Sequence, residues 1–157
     1  QADRGAFSAA EMERRLCELL GCNITHDEFM SLEAMAFEVR PEIIAIAEAV
    51  SQHVPIGILA NNSPMFHATL PQCFPELLRV FSPILFSFQF GHVKPEPELF
   101  AAVHSHLRVH PTEIFFVDDQ ASHVAAAASM EWDAVQYQSE SSLRSSLSER
   151  GMIAGVV

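Results

Sequence analysis

The spacing of apolar residues changes about a third of the way along the chain. Before that point apolar side chains recur every three or four positions, which predicts amphipathic helices. Capping patterns at Ser8–Glu11 and Thr25–Glu28 mark the starts of two helices, and Gly21 ends the first. Pro41 begins a third helix, since proline suits the first helical turn. Residues 1–40 are therefore predicted to form a small helical cap.

Short apolar runs alternate with helical segments in residues 41–157. The predicted strands cover 56–60, 84–88, 114–117 and 134–137. Residues 71–81, between the first two strands, are predicted to be a loop with one helical turn. Strands that alternate with helices predict parallel βαβ units and hence an α/β core. The run at 114–117 has no polar alternation, which predicts a strand buried on both faces.

Two carboxylates, Asp118 and Asp119, directly follow the predicted strand 114–117. Because aspartate is a poor strand former, the pair marks the carboxyl end of the strand, where α/β sheets bind ligands. Adjacent carboxylates repel each other unless a cation, a proton or a hydrogen-bond network relieves them. One interpretation is a solvated acidic pair in a strand-to-helix turn. The other is a divalent cation site, with Mg²⁺ preferred because the offered ligands are all oxygens.

Three further polar residues are predicted to lie at the same edge. Asn61 and Asn62 follow the strand 56–60, and Lys94 precedes a helix. An amide donor, an ammonium group and two carboxylates on one rim suit a phosphate bound next to Mg²⁺. Each residue alone is a weak signal, because paired asparagines usually form a turn and a lone lysine is usually solvated. Their order along the chain is what favours phosphoryl-transfer chemistry.

Composition narrows the function classes further. The chain has 157 residues, 49% of them hydrophobic, which suits one packed domain or a core with a small satellite. A formal net charge of -11 disfavours nucleic-acid and anionic-membrane partners. Cys17, Cys22 and Cys73 are odd in number and lack metal-ligand spacing, which predicts reduced thiols in a cytoplasmic protein. We find no apolar run of membrane-spanning length and no signal-peptide pattern.

Three segments resemble the second, third and fourth motifs of the haloacid dehalogenase (HAD) superfamily. They are Ile-Leu-Ala-Asn-Asn at 58–62, Gly-His-Val-Lys-Pro-Glu-Pro at 91–97 and Phe-Val-Asp-Asp at 116–119. The resemblance is greatest to small phosphatases with a helical cap, such as sugar-phosphate phosphatases. It implies a Rossmann-like core, Mg²⁺ and an aspartyl-phosphate intermediate. By that pattern Lys94 orients the nucleophile and the phosphate, Asn61 and Asn62 lie beside the phosphate, and Asp118 and Asp119 bind the metal.

The chain departs from the HAD pattern at three points. The family's first motif, a strand ending in Asp-x-Asp, should precede the cap, but no such strand is found there. Its first aspartate would be the nucleophile, and Asp3 and Asp27 lie in the wrong local context to replace it. Ala60 stands where the family usually has Ser or Thr, and His123 where many relatives carry Asn or Asp. We expect that about 10–25 upstream residues have been lost, the length of one strand and its connection.

These features leave two classes of function open. The first is a Mg²⁺-dependent phosphomonoesterase of small, sugar-phosphate-like metabolites in the intact protein. The second is a non-catalytic HAD-fold protein or interaction module, favoured by Ala60, His123 and the missing motif. Haloacid dehalogenation is the weaker alternative, because paired carboxylates suit a metal that this reaction does not use. The chain alone is expected to be inactive, since it lacks the nucleophile, and its unpaired strand edge could support a homodimer.

Overall fold

The computed structural model describes residues 1–21 and 23–154. Its helices are α1 (Ala9–Leu20), α2 (His26–Ala34), α3 (Pro41–Ser51), α4 (Pro64–Cys73), α5 (Pro75–Val80), α6 (Pro97–Leu107), α7 (Ala121–Ser129) and α8 (Glu140–Glu149). Its strands are β1 (Ile58–Ala60), β2 (Ile84–Phe86), β3 (Phe115–Asp118) and β4 (Asp133–Gln136). Short 3₁₀ turns lie at Ala2–Arg4, Ser87–Gln89 and Pro111–Glu113. No helix of this part of the chain is long and apolar enough to cross a membrane.

Local sequence signals set the first helix boundaries as predicted. The Ser8 hydroxyl accepts a hydrogen bond from the Glu11 N–H at 3.2 Å, which satisfies a donor at the start of α1. Thr25 and Glu28 form both bonds of a capping box ahead of α2. Gly21 ends α1 with φ +63°, a left-handed conformation that glycine adopts without strain.

The four strands form two parallel pairs rather than one continuous sheet. β1 pairs with β2 in the register Ile58↔Ile84, and β3 pairs with β4 in the register Phe115↔Asp133. We call these pairs the β1–β2 half-sheet and the β3–β4 half-sheet. Helices alternate with the strands in both, which confirms the predicted parallel α/β core.

Each half-sheet has an inner edge, defined as the side of β1 away from β2 and the side of β3 away from β4. The Ile58 N–H donates to the Pro83 carbonyl on the β2 side at 2.9 Å. Since polar groups alternate along a strand, those of the next residue, Leu59, point to the inner edge. In β3 the carbonyls of Ile114 and Asp118 accept bonds of 3.0 and 2.9 Å from the β4 side. The N–H and carbonyl groups of Phe115 and Val117 therefore point to the inner edge, away from β4.

The prediction that the run 114–117 is buried on both faces is wrong. Phe116 is buried, with 9% of its surface exposed, whereas Phe115 and Val117 are only half-buried. Phe116 packs edge-on against Phe100 and Trp132, with ring centroids 5.8 Å apart in both pairs. Within residues 1–21 and 23–154, β3 has a strand neighbour on one side only, so the apolar residues beside its inner edge are incompletely covered.

The prediction of a loop at 71–81 is also wrong, because helices α4 and α5 occupy most of that range. Pro71 lies inside α4, where its missing N–H leaves the carbonyl of His67 without its helical partner. His67 is exposed, so water can satisfy that carbonyl. Phe74, which ends α4, is buried against Phe66 and Phe86, and this packing keeps the helix in place.

The N-terminal helices are less well packed than their pattern predicts. α1 contributes no buried residue, and Leu19 and Leu20 at its end are 81% and 58% exposed. These two leucines follow the helical spacing of apolar residues, but the structure leaves them largely uncovered. α2 buries Phe29 and Met30, but Met35 just beyond it is 81% exposed. The cap boundary at residue 40 remains a prediction.

The structure describes two of the three cysteines that the sequence predicts to be reduced. Cys17 and Cys73 are free thiols in the described part of the chain. Cys22 lies outside the described residues.

Candidate active site

Lys94, the only lysine of the chain, lies between the two half-sheets. Its ammonium group donates to the Leu59 carbonyl at 2.9 Å and to Oδ2 of Asp118 at 2.6 Å. Only 10% of the Lys94 side chain and 7% of the Asp118 side chain are exposed. Leu59 belongs to β1 and Asp118 to β3, so one buried cation joins the two half-sheets.

Asn61 holds the backbone of Lys94 in place. Its amide nitrogen donates to the Lys94 carbonyl at 2.9 Å, and its amide oxygen accepts from the Lys94 N–H at 2.7 Å. A side-chain amide carries one donor group and one acceptor side by side, so it can pair with both main-chain groups of one residue. Asn61 follows β1 directly, and it thereby fixes the loop before α6 to the β1–β2 half-sheet.

Asn62 starts the turn into α4. Its N–H donates to the Ser87 hydroxyl at 3.1 Å, and its amide oxygen accepts from the Ser63 N–H at 2.9 Å. The Ser87 hydroxyl in turn donates to the Asn62 carbonyl at 3.3 Å. Ser87 is fully buried and follows β2, so these bonds tie the ends of β1 and β2 together.

Asp118 is bonded through both carboxylate oxygens. Oδ2 receives Lys94, while Oδ1 accepts the Gln120 N–H and faces Nδ1 of His123, both at 2.9 Å. Burial pushes the pKa of Asp118 upward, but the bonds from Lys94, Gln120 and His123 outweigh it and hold the pKa below its ordinary value. Asp118 is thus an ionised carboxylate at neutral pH.

Asp119 differs from Asp118 in its exposure and in the bonding of its carboxylate. It is exposed, and its backbone carbonyl accepts from the Gln136 amide at 2.8 Å. Within residues 1–21 and 23–154, no hydrogen bond or ion pair of its carboxylate is found. Carboxylate oxygens are suitable ligands for Mg²⁺, but the described residues contain no group of three acidic, histidine or cysteine side chains that could hold a metal. Carboxylate oxygens are therefore the right kind of ligand for Mg²⁺, but the described residues supply too few of them, and further ligands are required.

The loop that carries Lys94 is also held from the N-terminal end of the chain. Arg4 pairs with both carboxylate oxygens of Glu96, and Oε2 of Glu96 accepts the Val93 N–H at 3.1 Å. Gly5, at φ +74°, approaches so closely that a Cβ there would lie 2.6 Å from the Phe88 carbonyl oxygen. Residues 1–5 therefore lie beside the candidate site.

The structure brings together Lys94, Asn61 and Asp118, as the sequence predicted, with Asn62 and Asp119 adjacent to them along the chain. Sequence reasoning missed Ser87 and Glu96. A serine that interrupts the apolar run 84–88 is the signal that could have found Ser87. The contact of Glu96 with Arg4 spans 92 residues, and no local pattern announces it.

Comparison with known proteins identifies the fold. The chain superposes on a HAD-family enzyme from Bacteroides thetaiotaomicron, solved with magnesium and inorganic phosphate, with a TM-score of 0.74. The two are 19% identical, and the match covers 88% of this chain and 72% of that enzyme. The chain has the HAD fold. The resemblance and the fold class predicted from the sequence are thereby confirmed.

Two curated phosphatases are similar to this HAD-fold chain in sequence. D-ribitol-5-phosphate phosphatase of Bacteroides thetaiotaomicron is 26% identical, over 94% of this chain and 74% of the relative. A phosphatase of Mycobacterium tuberculosis is 35% identical over 107 residues, which is 64% of this chain but only 48% of the relative. No protein-family model matches the chain. The magnesium complexes of the structural neighbour support the predicted choice of metal.

Proposed function

We propose that the protein is a Mg²⁺-dependent phosphatase that hydrolyses small phosphorylated metabolites. The observation that carries this proposal is the buried ammonium of Lys94 between the half-sheets. An ammonium group has three hydrogens, and two of them are used by Leu59 and Asp118. The third is available to a phosphate oxygen, whose charge Lys94 neutralises in a site shielded from water.

The neighbouring residues suit the same ligand. The Asn61 amide nitrogen uses one hydrogen on the Lys94 carbonyl and has a second to offer. Asn62, Asp118 and Asp119 complete the predicted set, with the two asparagines beside the phosphate and the two carboxylates serving the metal. Mg²⁺, when bound, neutralises the other phosphate oxygens. One similar protein acts on D-ribitol 5-phosphate, which favours a sugar-phosphate-like substrate for this chain.

The nucleophile is proposed to come from a strand ahead of residue 1 that pairs with both β1 and β3. Support comes from their inner edges, where Leu59, Phe115 and Val117 direct backbone groups away from the existing strand pairs. A parallel strand there would complete one continuous sheet.

In the proposed reaction, a carboxylate oxygen of this upstream strand attacks phosphorus, and the bond between phosphorus and the substrate oxygen breaks. A second aspartate of the strand protonates the leaving oxygen. Water then attacks the aspartyl phosphate and gives a proton to that second aspartate, which releases inorganic phosphate. Throughout the reaction, Lys94 holds the attacking carboxylate and the phosphate in position.

Hydrolysis of an aryl phosphate tests the proposal. The protein that includes its upstream segment is expected to turn over with Mg²⁺, and the 157-residue chain is not. Lys94→Met in the longer protein should abolish turnover, whereas Arg79→Met removes an exposed cation and should not. Equal turnover by Lys94→Met would overturn the proposal.

A second candidate, a non-catalytic HAD-fold protein, is favoured by one specific observation. Both oxygens of Asp118 are already occupied by groups of the protein, which is the arrangement of a structural ion pair. Phosphate and Mn²⁺ binding by the longer protein without any turnover would support this alternative.

A further inference from the structure

Lys94 lies within a turn that Glu96 closes twice. The Glu96 N–H donates to the Val93 carbonyl at 2.8 Å, and Oε2 of the Glu96 side chain accepts the Val93 N–H at 3.1 Å. One residue therefore uses both main-chain polar groups of Val93, and Lys94 and Pro95 lie between the two. The Glu96 carbonyl accepts the Leu99 N–H at 3.1 Å, which joins the same turn to α6. The position of the Lys94 backbone thus depends on the Glu96 side chain.

Arg4 fixes that side chain from outside the turn. Its guanidinium pairs with both carboxylate oxygens of Glu96, and the bond from Nη1 to Oε2 is 2.9 Å long. A two-point contact of this kind sets the orientation of a carboxylate, which a single contact leaves free to rotate. Bonds from Arg4 and from the Val93 N–H hold the pKa of Glu96 below its ordinary value, so Glu96 is ionised at neutral pH.

The exposure of this pair argues for a role in geometry rather than in stability. The side chains of Arg4 and Glu96 are 44% and 30% exposed, and exposed ion pairs add little to the free energy of unfolding. Removing the pair should therefore leave the protein folded while it releases the Glu96 side chain.

We propose that Arg4 and Glu96 are positioning residues for Lys94, with Glu96 setting the turn and Arg4 setting Glu96. Asn61 holds the Lys94 backbone from the β1–β2 half-sheet, and this pair holds it from a segment 92 residues earlier in the chain. The purpose of the positioning, to direct the ammonium group at a phosphate, rests on the proposed function. The positioning itself does not, since it can be measured without phosphate.

Nitrogen NMR of the Lys94 ammonium in the longer protein, without phosphate, measures the positioning directly. The signal is identified by its loss in Lys94→Met, and it reports the hydrogen bonds of the ammonium group. Glu96→Ala and Arg4→Met are each expected to shift it. Glu98→Ala is the matched control, because Glu98 is exposed and no hydrogen bond or ion pair of its side chain is found within residues 1–21 and 23–154. A signal that keeps its wild-type position in either variant of the pair would overturn the proposal.

Binding of inorganic phosphate to the longer protein tests whether Arg4 acts through Glu96. Glu96→Ala and Arg4→Met should each weaken binding roughly tenfold, the scale of one lost hydrogen bond to a charged group. Arg79→Met, which removes an exposed cation elsewhere, should leave binding unchanged. In the Glu96→Ala background, Arg4→Met should cause no further loss, because the two residues act as one unit. Losses that add would mean that Arg4 acts on the phosphate by its own charge, contrary to the proposal.

Turnover of an aryl phosphate separates positioning from a loss of folded protein. A smaller folded fraction lowers kcat and leaves KM unchanged, whereas a displaced Lys94 should also raise KM. A KM for Glu96→Ala equal to that of the wild type, with a lower kcat, would contradict the positioning role. If the longer protein shows no turnover while Glu96→Ala still shifts the Lys94 signal, the proposed function is contradicted and the role of Arg4 and Glu96 is not.

Discussion

The two half-sheets bring different chemistry to the same site. The β1–β2 half-sheet contributes neutral groups, namely the Asn61 and Asn62 amides and the Ser87 hydroxyl. The β3–β4 half-sheet contributes Asp118 and Asp119, and α7 adds His123. Lys94 belongs to neither strand pair and bonds to both. In the function proposed above, the phosphate contacts the neutral groups of the β1–β2 half-sheet, the metal binds the carboxylates of the β3–β4 half-sheet, and Lys94 lies between the two.

Removing the Lys94 cation should have the largest effect on this arrangement. Lys94→Met leaves Asp118 buried without its ammonium partner, and breaking a buried ion pair in this way costs about 3–5 kcal/mol of unfolding free energy. Urea unfolding measures it. Arg79→Met is the control, because it breaks the exposed pair with Glu48 and should cost about 1 kcal/mol or less. Equal costs would mean that Lys94 does not join the half-sheets.

The contribution of Asp118, in the β3–β4 half-sheet, to the unfolding free energy should depend on pH. The pKa of Asp118 lies below its ordinary value of 3.8, so its ionised form stabilises the fold above that pH. This contribution is lost as the pH falls through 3.8 toward the folded pKa. The unfolding free energies of wild type and Asp118→Asn should therefore differ at neutral pH and converge in acid. A difference that stays constant from pH 7 down into the acid range would contradict the role of the carboxylate.

Removing the Asn61 contacts of the β1–β2 half-sheet should lower the unfolding free energy by a smaller amount. Asn61→Ala removes both bonds to the Lys94 backbone and leaves its N–H and carbonyl unsatisfied, which costs about 1–3 kcal/mol. Gln138→Ala, at an exposed position, is the control for the loss of an amide. Chemical denaturation compares the two. A cost no larger than that of Gln138→Ala would show that Asn61 does not hold the loop.

The smallest effect on stability is expected at Asp119. Asp119→Asn changes an exposed residue and should shift the unfolding free energy by no more than about 0.5 kcal/mol. Added Mg²⁺ should raise the melting temperature of the longer protein, since a ligand of the native state stabilises it, and should raise that of its Asp119→Asn variant less. Stabilisation of Asp119→Asn by Mg²⁺ equal to that of the wild type would place the metal elsewhere.

The meeting of Lys94, Asn61 and Asp118 was predictable because βα turns of parallel strands collect at one edge. The partners of these residues were not predictable. The sequence predicted Asn61 beside the phosphate, but it gave no sign that Asn61 also bonds to the backbone of Lys94, 33 residues away. Long-range pairings of this kind depend on how the loops pack together, and no spacing along the chain encodes them.

Burial was predicted less well than element type, and for a physical reason. The apolar run 114–117 was expected to be buried on both faces, because it has no polar alternation. An apolar face is buried only if another helix or strand packs against it. Phe115 and Val117 lie beside the inner edge of β3, and Leu19 and Leu20 at the end of α1 are largely exposed although they follow helical spacing. Periodicity identifies the apolar face but not whether another element covers it.

Nitrogen NMR of the Lys94 ammonium tests the central claim most directly, because Lys94 is the only lysine of the 157 residues and its signal is identified by its loss in Lys94→Met. In the protein that includes its upstream segment, inorganic phosphate with Mg²⁺ is expected to shift that signal in a saturable way. The shift should be much weaker in Asn61→Ala, where the loop is no longer held. A signal that does not move at saturating phosphate would contradict the account.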